Sequence, residues 1–125
     1  MAKAKPKEIK WLPDLEEQDY PAAESYLSLI YSRDRVAGMM AELKYAPVVQ
    51  FQAKDIFRAS QLSLLGVSDS QVEKDRKKIR KGQGLSPLLF VRDEQNGKVV
   101  IADGYRRLCA SHECNEDEWI RCKIV

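Results

Sequence analysis

Apolar residues recur at three- to four-residue spacing through Ala23, Tyr26, Leu27, Ile30 and Tyr31, with Asp19 placed as a capping carboxylate and Pro21 in the first turn. A helix is predicted there. Ser32 can cap a second helix from Arg33 to Lys44, on which Val36, Met39, Met40 and Leu43 form one stripe of the kind that faces a core or a dimer partner. Pro47 ends that helix, and the β-branched run Val48-Val49-Gln50-Phe51 reads as a strand before Lys54-Asp55-Ile56-Phe57-Arg58. A turn-rich loop follows. Ser70-Gln71-Val72-Glu73 matches a capping box and predicts a helix from about Gln71 to Lys81 that stops at Gly82. The unbroken apolar run Leu88-Leu89-Phe90-Val91 after Pro87 is the pattern of a strand buried on both faces. Asn96-Gly97 then turns the chain into a strand over Lys98 to Ala102, which makes a hairpin. A helix over 105 to 113, a polar turn at Asn115-Glu116-Asp117-Glu118 and a last strand from Trp119 to Val125 complete the pattern, with Ile120, Cys122 and Ile124 on one face. The expected class is α+β: a small mixed sheet with packed helices.

Residues 1 to 13 carry four lysines and two prolines against only Ile9, Trp11 and Leu12 as apolar anchors, the pattern of a flexible basic tail. The expected organisation is therefore this tail, a helical segment over 14 to 46, and a domain over 47 to 125. A chain of 125 residues has room for one core. The formal charge of +2 is close to balance, so attraction to nucleic acid must come from local clustering. No apolar run reaches the length of a membrane span, and Cys109, Cys114 and Cys122 do not form a disulfide framework. A cytoplasmic protein with reduced thiols is expected, without a membrane partner.

Chemistry concentrates in Ala102-Asp103-Gly104-Tyr105-Arg106-Arg107, where a strand stops at a glycine and a helix opens with two arginines. Helix-start N–H groups, close backbone approach at glycine and guanidinium groups all favour an anion. Asp103 can serve as a metal ligand or base, or it can cap the helix while the arginines pair with Glu113 or Glu116. Lys74, Arg76, Lys77, Lys78, Arg80 and Lys81 give the helix before Gly82 a dense basic surface that could track a phosphate backbone. Glu73 and Asp75 interrupt it and no aromatic residue is interleaved, so a solvated face is the plainer reading. Cys109, His112, Cys114 and Cys122 fit no familiar zinc spacing. Glu116 to Glu118 read as a turn that could supply an acid or base only by folding over the anion position.

Gly104-Tyr105-Arg106-Arg107-Leu108-Cys109-Ala110 resembles the Gly-x-Arg-Arg-x-x-Ala box of the ParB N-terminal domain, and a hairpin precedes it as in that family. Lys81-Gly82-Gln83-Gly84-Leu85-Ser86-Pro87 followed by the apolar strand resembles the family's Leu-x-Pro segment, and Arg58 its early arginine. The resemblance covers about residues 47 to 125. It implies a ParB/sulfiredoxin-like fold that holds a nucleotide, CTP or ATP with Mg²⁺, through Gly104, Arg106, Arg107, Arg58 and Ser86, with Asp103 and Tyr105 as further catalytic candidates and Asp103 as a metal candidate. Tyr105 stands where sulfiredoxins carry their reactive cysteine, so sulfinic-acid reduction is not implied. Nor is centromere clamping by this stretch alone, since ParB's helix-turn-helix module would follow it. Nucleotide hydrolysis, phosphotransfer, a non-enzymatic DNA-associated role, a protein-interaction module and a homodimer all stay open.

Overall fold

In the computed structural model, which describes residues 8–63 and 69–125, ordered backbone runs in sequence as helix α1 (Asp19–Leu27), helix α2 (Arg33–Tyr45), strand β1 (Val49–Gln52), helix α3 (Ala53–Ser60), helix α4 (Ser70–Arg80), strand β2 (Leu88–Asp93), strand β3 (Lys98–Asp103), helix α5 (Tyr105–Cys114) and strand β4 (Trp119–Ile124). The four strands form one mixed sheet in the order β1-β4-β2-β3. Pairing is antiparallel for β1 with β4 and for β2 with β3, and parallel for β2 with β4, whose connection passes through α5. The α+β class and the shared sheet of the three C-terminal strands are as the pattern predicts.

Alternation along the strands divides the core. Leu89, Val91, Val100 and Ala102 face α1 and α2, which contribute Ala23, Leu27, Val36, Met40 and Leu43. Leu88, Phe90, Ile101, Ile120 and Cys122 face the other way, toward Ala53 and Ile56 of α3 and Leu108 of α5. The helices of 14 to 46 thus supply one of the sheet's two covers, because a strand buried on both faces needs apolar partners on both. A third cluster of Ile9, Val72, Ile79, Leu85, Cys109 and Ala110 packs α4 on the outer side of α5. The α2 stripe is spent on the core: Val36, Met40 and Leu43 are buried, so it is not a free dimer or partner face.

Several local expectations change. Of the tail expected over residues 1–13, residues 1–7 lie outside the described residues, but residues 9–12 are anchored: Ile9 is buried, and Leu12 N–H and Lys10 carbonyl bond to Leu85 at 2.8 and 2.9 Å. Helix α1 stops at Leu27, leaving Tyr26 and Ile30 exposed. Asp19 does not cap it but is buried, and its Oδ2 accepts from Glu16 N–H at 2.9 Å. The cap of α4 is Asp69, whose Oδ1 accepts from Gln71 and Val72 N–H at 2.9 and 3.0 Å, in place of Ser70. A carboxylate one residue upstream reaches the same N–H groups and adds charge at the positive helix end. The hairpin turn is a 3-10 turn, Glu94–Asn96, closed by Gly97 at φ 64°, so only the glycine takes the left-handed conformation.

Among the described residues no helix is long and apolar enough to cross a membrane.

Candidate functional site

Strand β3 delivers the chain to Gly104, whose φ of 103° turns it into α5. A Cβ here would lie 2.4 Å from Leu88 Cγ and 3.0 Å from Arg107 Nη2, so both the backbone angle and the close packing require glycine. Because the residue at the N-cap has no side chain, no side-chain cap bond reaches the first turn of α5. That turn opens on a cleft of about 500 Å³ whose lining includes Tyr26, Gln71, Tyr105 and Arg106 together with Asp75, Asp103 and Arg107. A helix start carries the positive end of the helix dipole, and this one lies in the wall of the cleft.

The two arginines of the box separate. Arg107 turns inward, with a side chain 17% exposed. Its Nη2 lies 3.0 Å from Asp103 Oδ2 and donates to the Pro87 carbonyl at 3.3 Å, while Nη1 is 3.8 Å from Asp19 Oδ1. Its Nε is buried without a hydrogen-bond partner among the described residues. Asp75 of α4 is 2% exposed, accepts from Gln71 Nε2 at 3.3 Å through Oδ1, and leaves Oδ2 without a partner. Asp103 and Asp19 thus pair with one guanidinium, and Asp75 lines the same clefts as that group. Burial raises the Asp103 carboxyl above the usual range against the pull of Arg107, and Asp19 raises it further. Burial likewise raises Asp75, opposed chiefly by Arg107. A smaller cleft of about 290 Å³ opens on the far side of Arg107, with Ser86, Asp19, Gly84 and Lys78 in its walls.

Arg106 points outward, with a side chain 55% exposed and Nε 3.4 Å from Asp69 Oδ1. It is the box residue free to swing toward a ligand. Asp69 is held below the usual carboxylate range, first by the Val72 N–H bond and more weakly by Gln71 N–H and Arg106. Neither arginine pairs with Glu113 or Glu116; Glu113 instead faces Arg76 at 3.4 Å.

Of the other predicted residues, Ser86 is buried beside the smaller cleft. Tyr105 is partly buried between α5 and the core, and burial followed by Cys109 pushes its phenol upward, away from a base working near neutrality. Arg58 is not brought to the site: it lies on the open face of α3, 86% exposed and 3.9 Å from Asp55, and lines neither cleft. Nor do Glu116 to Glu118 fold over the site, since their carbonyls accept from Lys54 and Ala53 N–H at the start of α3. Asp103 is committed to Arg107, and among the described residues no group of three or more His, Cys, Asp or Glu side chains could hold a metal ion. The cysteines and His112 disperse accordingly: Cys122 lies in the sheet, its thiol pushed up to about 12 by burial, and His112 stacks edge-on against Phe57 at 4.9 Å.

Sequence reading missed Asp19 and Asp75. Asp75 had a signal, because it stands three residues after Val72 and four before Ile79, on the apolar line of α4. An acidic residue at such a position is buried with a partner or not at all. Comparison with protein-family models, with curated proteins and with solved structures finds no match to this chain.

Proposed function

We propose that the chain is a ParB-like domain that binds a phosphate-bearing ligand, a nucleotide in the first instance, at the N-terminus of α5. One observation carries the reading: the cap position of α5 is a glycine at φ 103° with no side-chain cap bond, and Gly104, Tyr105, Arg106 and Arg107 of this turn all line one cleft of about 500 Å³. In this reading Arg106 supplies the charge-assisted contact, and Arg107 holds the turn in place through Asp103 and Asp19. The residues present offer no dedicated metal cage, so Mg²⁺ would enter as the counter-ion of the nucleotide phosphates.

A thermal-shift panel of CTP, ATP, ADP and GTP, with and without Mg²⁺, tests it. At least one nucleotide should raise the melting temperature. Arg106→Ala should weaken that ligand by about 10- to 100-fold, the loss of a contact of roughly 1.5 to 3 kcal/mol, at unchanged stability. Arg107→Ala should instead destabilise the fold by roughly 3 to 5 kcal/mol, because it strands buried carboxylates. No shift with any nucleotide, or Arg106→Ala binding as the parent does, would remove the assignment.

A further inference from the structure

The basic helix of the sequence is a different object once folded. With about 3.6 residues per turn, Lys74, Lys77, Lys78 and Lys81 fall within an arc of roughly 100°. All four are exposed, and none forms an ion pair with a described residue. The arginines of the same helix lie on another arc and are engaged: Arg76 meets Glu73 at 3.0 Å and Glu113 at 3.4 Å, and Arg80 meets Glu73 at 3.2 Å. The two acids that break the basic run in sequence flank the lysine arc instead of lying on it, Glu73 beside Lys77 and Asp75 beside Lys78, each within electrostatic reach. Glu73 serves the arginines, and Asp75 is turned into the core with Val72 and Ile79.

We propose that this lysine stripe of α4 is a docking surface for the phosphate backbone of duplex DNA, read without regard to sequence. Charge complementarity selects the class of partner. A protein partner would need an apolar or aromatic anchor at the centre of its contact, and lysine is depleted in such interfaces; the stripe offers lysines alone. Single strands are held largely by base stacking on aromatic rings, which are missing from this face. A stripe roughly 10 Å long, at about 1.5 Å per residue, spans about three base-pair steps of a duplex, whose strands each carry one phosphate per about 3.4 Å of helix axis. Double-stranded RNA is bound across two successive minor grooves, a reach that one stripe of this length does not have. None of these lysines lines the larger cleft at α5; Lys78 alone reaches the wall of the smaller one.

The test is fluorescence anisotropy of the full chain with a 20-base-pair DNA duplex between about 50 and 200 mM salt. Four neutralised phosphates predict a slope of about −3.6 in log affinity against log salt, a loss of about 100-fold over that range. The variant Lys74→Gln/Lys77→Gln/Lys78→Gln/Lys81→Gln should keep the parent's melting temperature, lose at least about tenfold in affinity at low salt, and show a slope shallower than about −1. Arg76→Gln should lower the melting temperature and leave the slope alone. Three results would overturn the proposal: no duplex binding by the parent at 50 mM salt, an unchanged slope in the quadruple variant, or tighter binding of a single strand or an RNA duplex of the same length. Should the quadruple variant melt lower than the parent, Lys74→Gln/Lys81→Gln, which spares the centre of α4, must still halve the slope.

Discussion

Asp75 shows how a single side chain carries a cost that sequence distance hides. It is buried in α4, one carboxylate oxygen is unpartnered, and burial dominates its titration. A carboxyl raised in the folded state binds its proton more readily there than in the unfolded chain, so its contribution to stability is fully present below the unfolded value and is lost as pH rises through the folded one. Asp75→Asn keeps the shape and the bond with Gln71 while removing the charge. The variant should be more stable than the parent near neutral pH, and the difference should shrink steadily on acidification. Denaturant unfolding of both proteins from pH 7 down to pH 4 measures this. A variant less stable at pH 7 would mean that attraction to Arg107 outweighs burial. Gly104 is the opposite case at the same scale, since its role was visible in the sequence as a strand-to-helix glycine and its neighbours Leu88 and Arg107 explain it twice over.

Among the elements, α4 depends on a residue that also serves its neighbour. Asp69 caps α4 through two N–H bonds and faces Arg106 of α5 at 3.4 Å. Replacing it by alanine removes the cap, which costs about 1 kcal/mol, while the exposed pairing with Arg106 adds little. Asp69→Ala should therefore lower unfolding stability by about that amount, whereas Ser70→Ala, at the position expected to cap, should be nearly silent. Equal effects from both, measured by urea unfolding, would return the cap to Ser70. Helix α1 illustrates a different limit. Its apolar spacing continues past Leu27, yet the regular helix ends there: Leu29 and Ile30 turn to solvent, and of the next turn only Tyr31 packs, partly buried, against the core.

At the scale of the whole molecule, Lys123 ties the N-terminal helices to the sheet. Its side chain is 6% exposed on β4, and Nζ donates to the Tyr20 hydroxyl and the Lys44 carbonyl at 3.1 Å each. One cation thus satisfies α1 and the last turn of α2 from beneath. Lys123→Met preserves the stem but orphans two part-buried acceptors, so stability should fall by roughly 1 kcal/mol. Circular dichroism during chemical unfolding reads this directly, and an unchanged midpoint would show that α1 and α2 are held by their apolar contacts alone.

The periodicities by themselves determined the helix and strand kinds from Asp19 onward apart from α3, for which they predict no helix, together with the hairpin at Asn96-Gly97 and the glycine that opens α5. Each is a local matter of side-chain spacing and backbone freedom, which short stretches of sequence encode. Tertiary structure alone decided that Arg106 faces outward while Arg107 pairs with Asp19 and Asp103, and that Arg58 lies elsewhere. It also decided that 9–12 runs beside Leu85, and that α4 sorts its arginines from its lysines. These outcomes join residues tens of positions apart, and the partner of a buried charge is set by which elements the sheet brings together, a choice no local spacing contains.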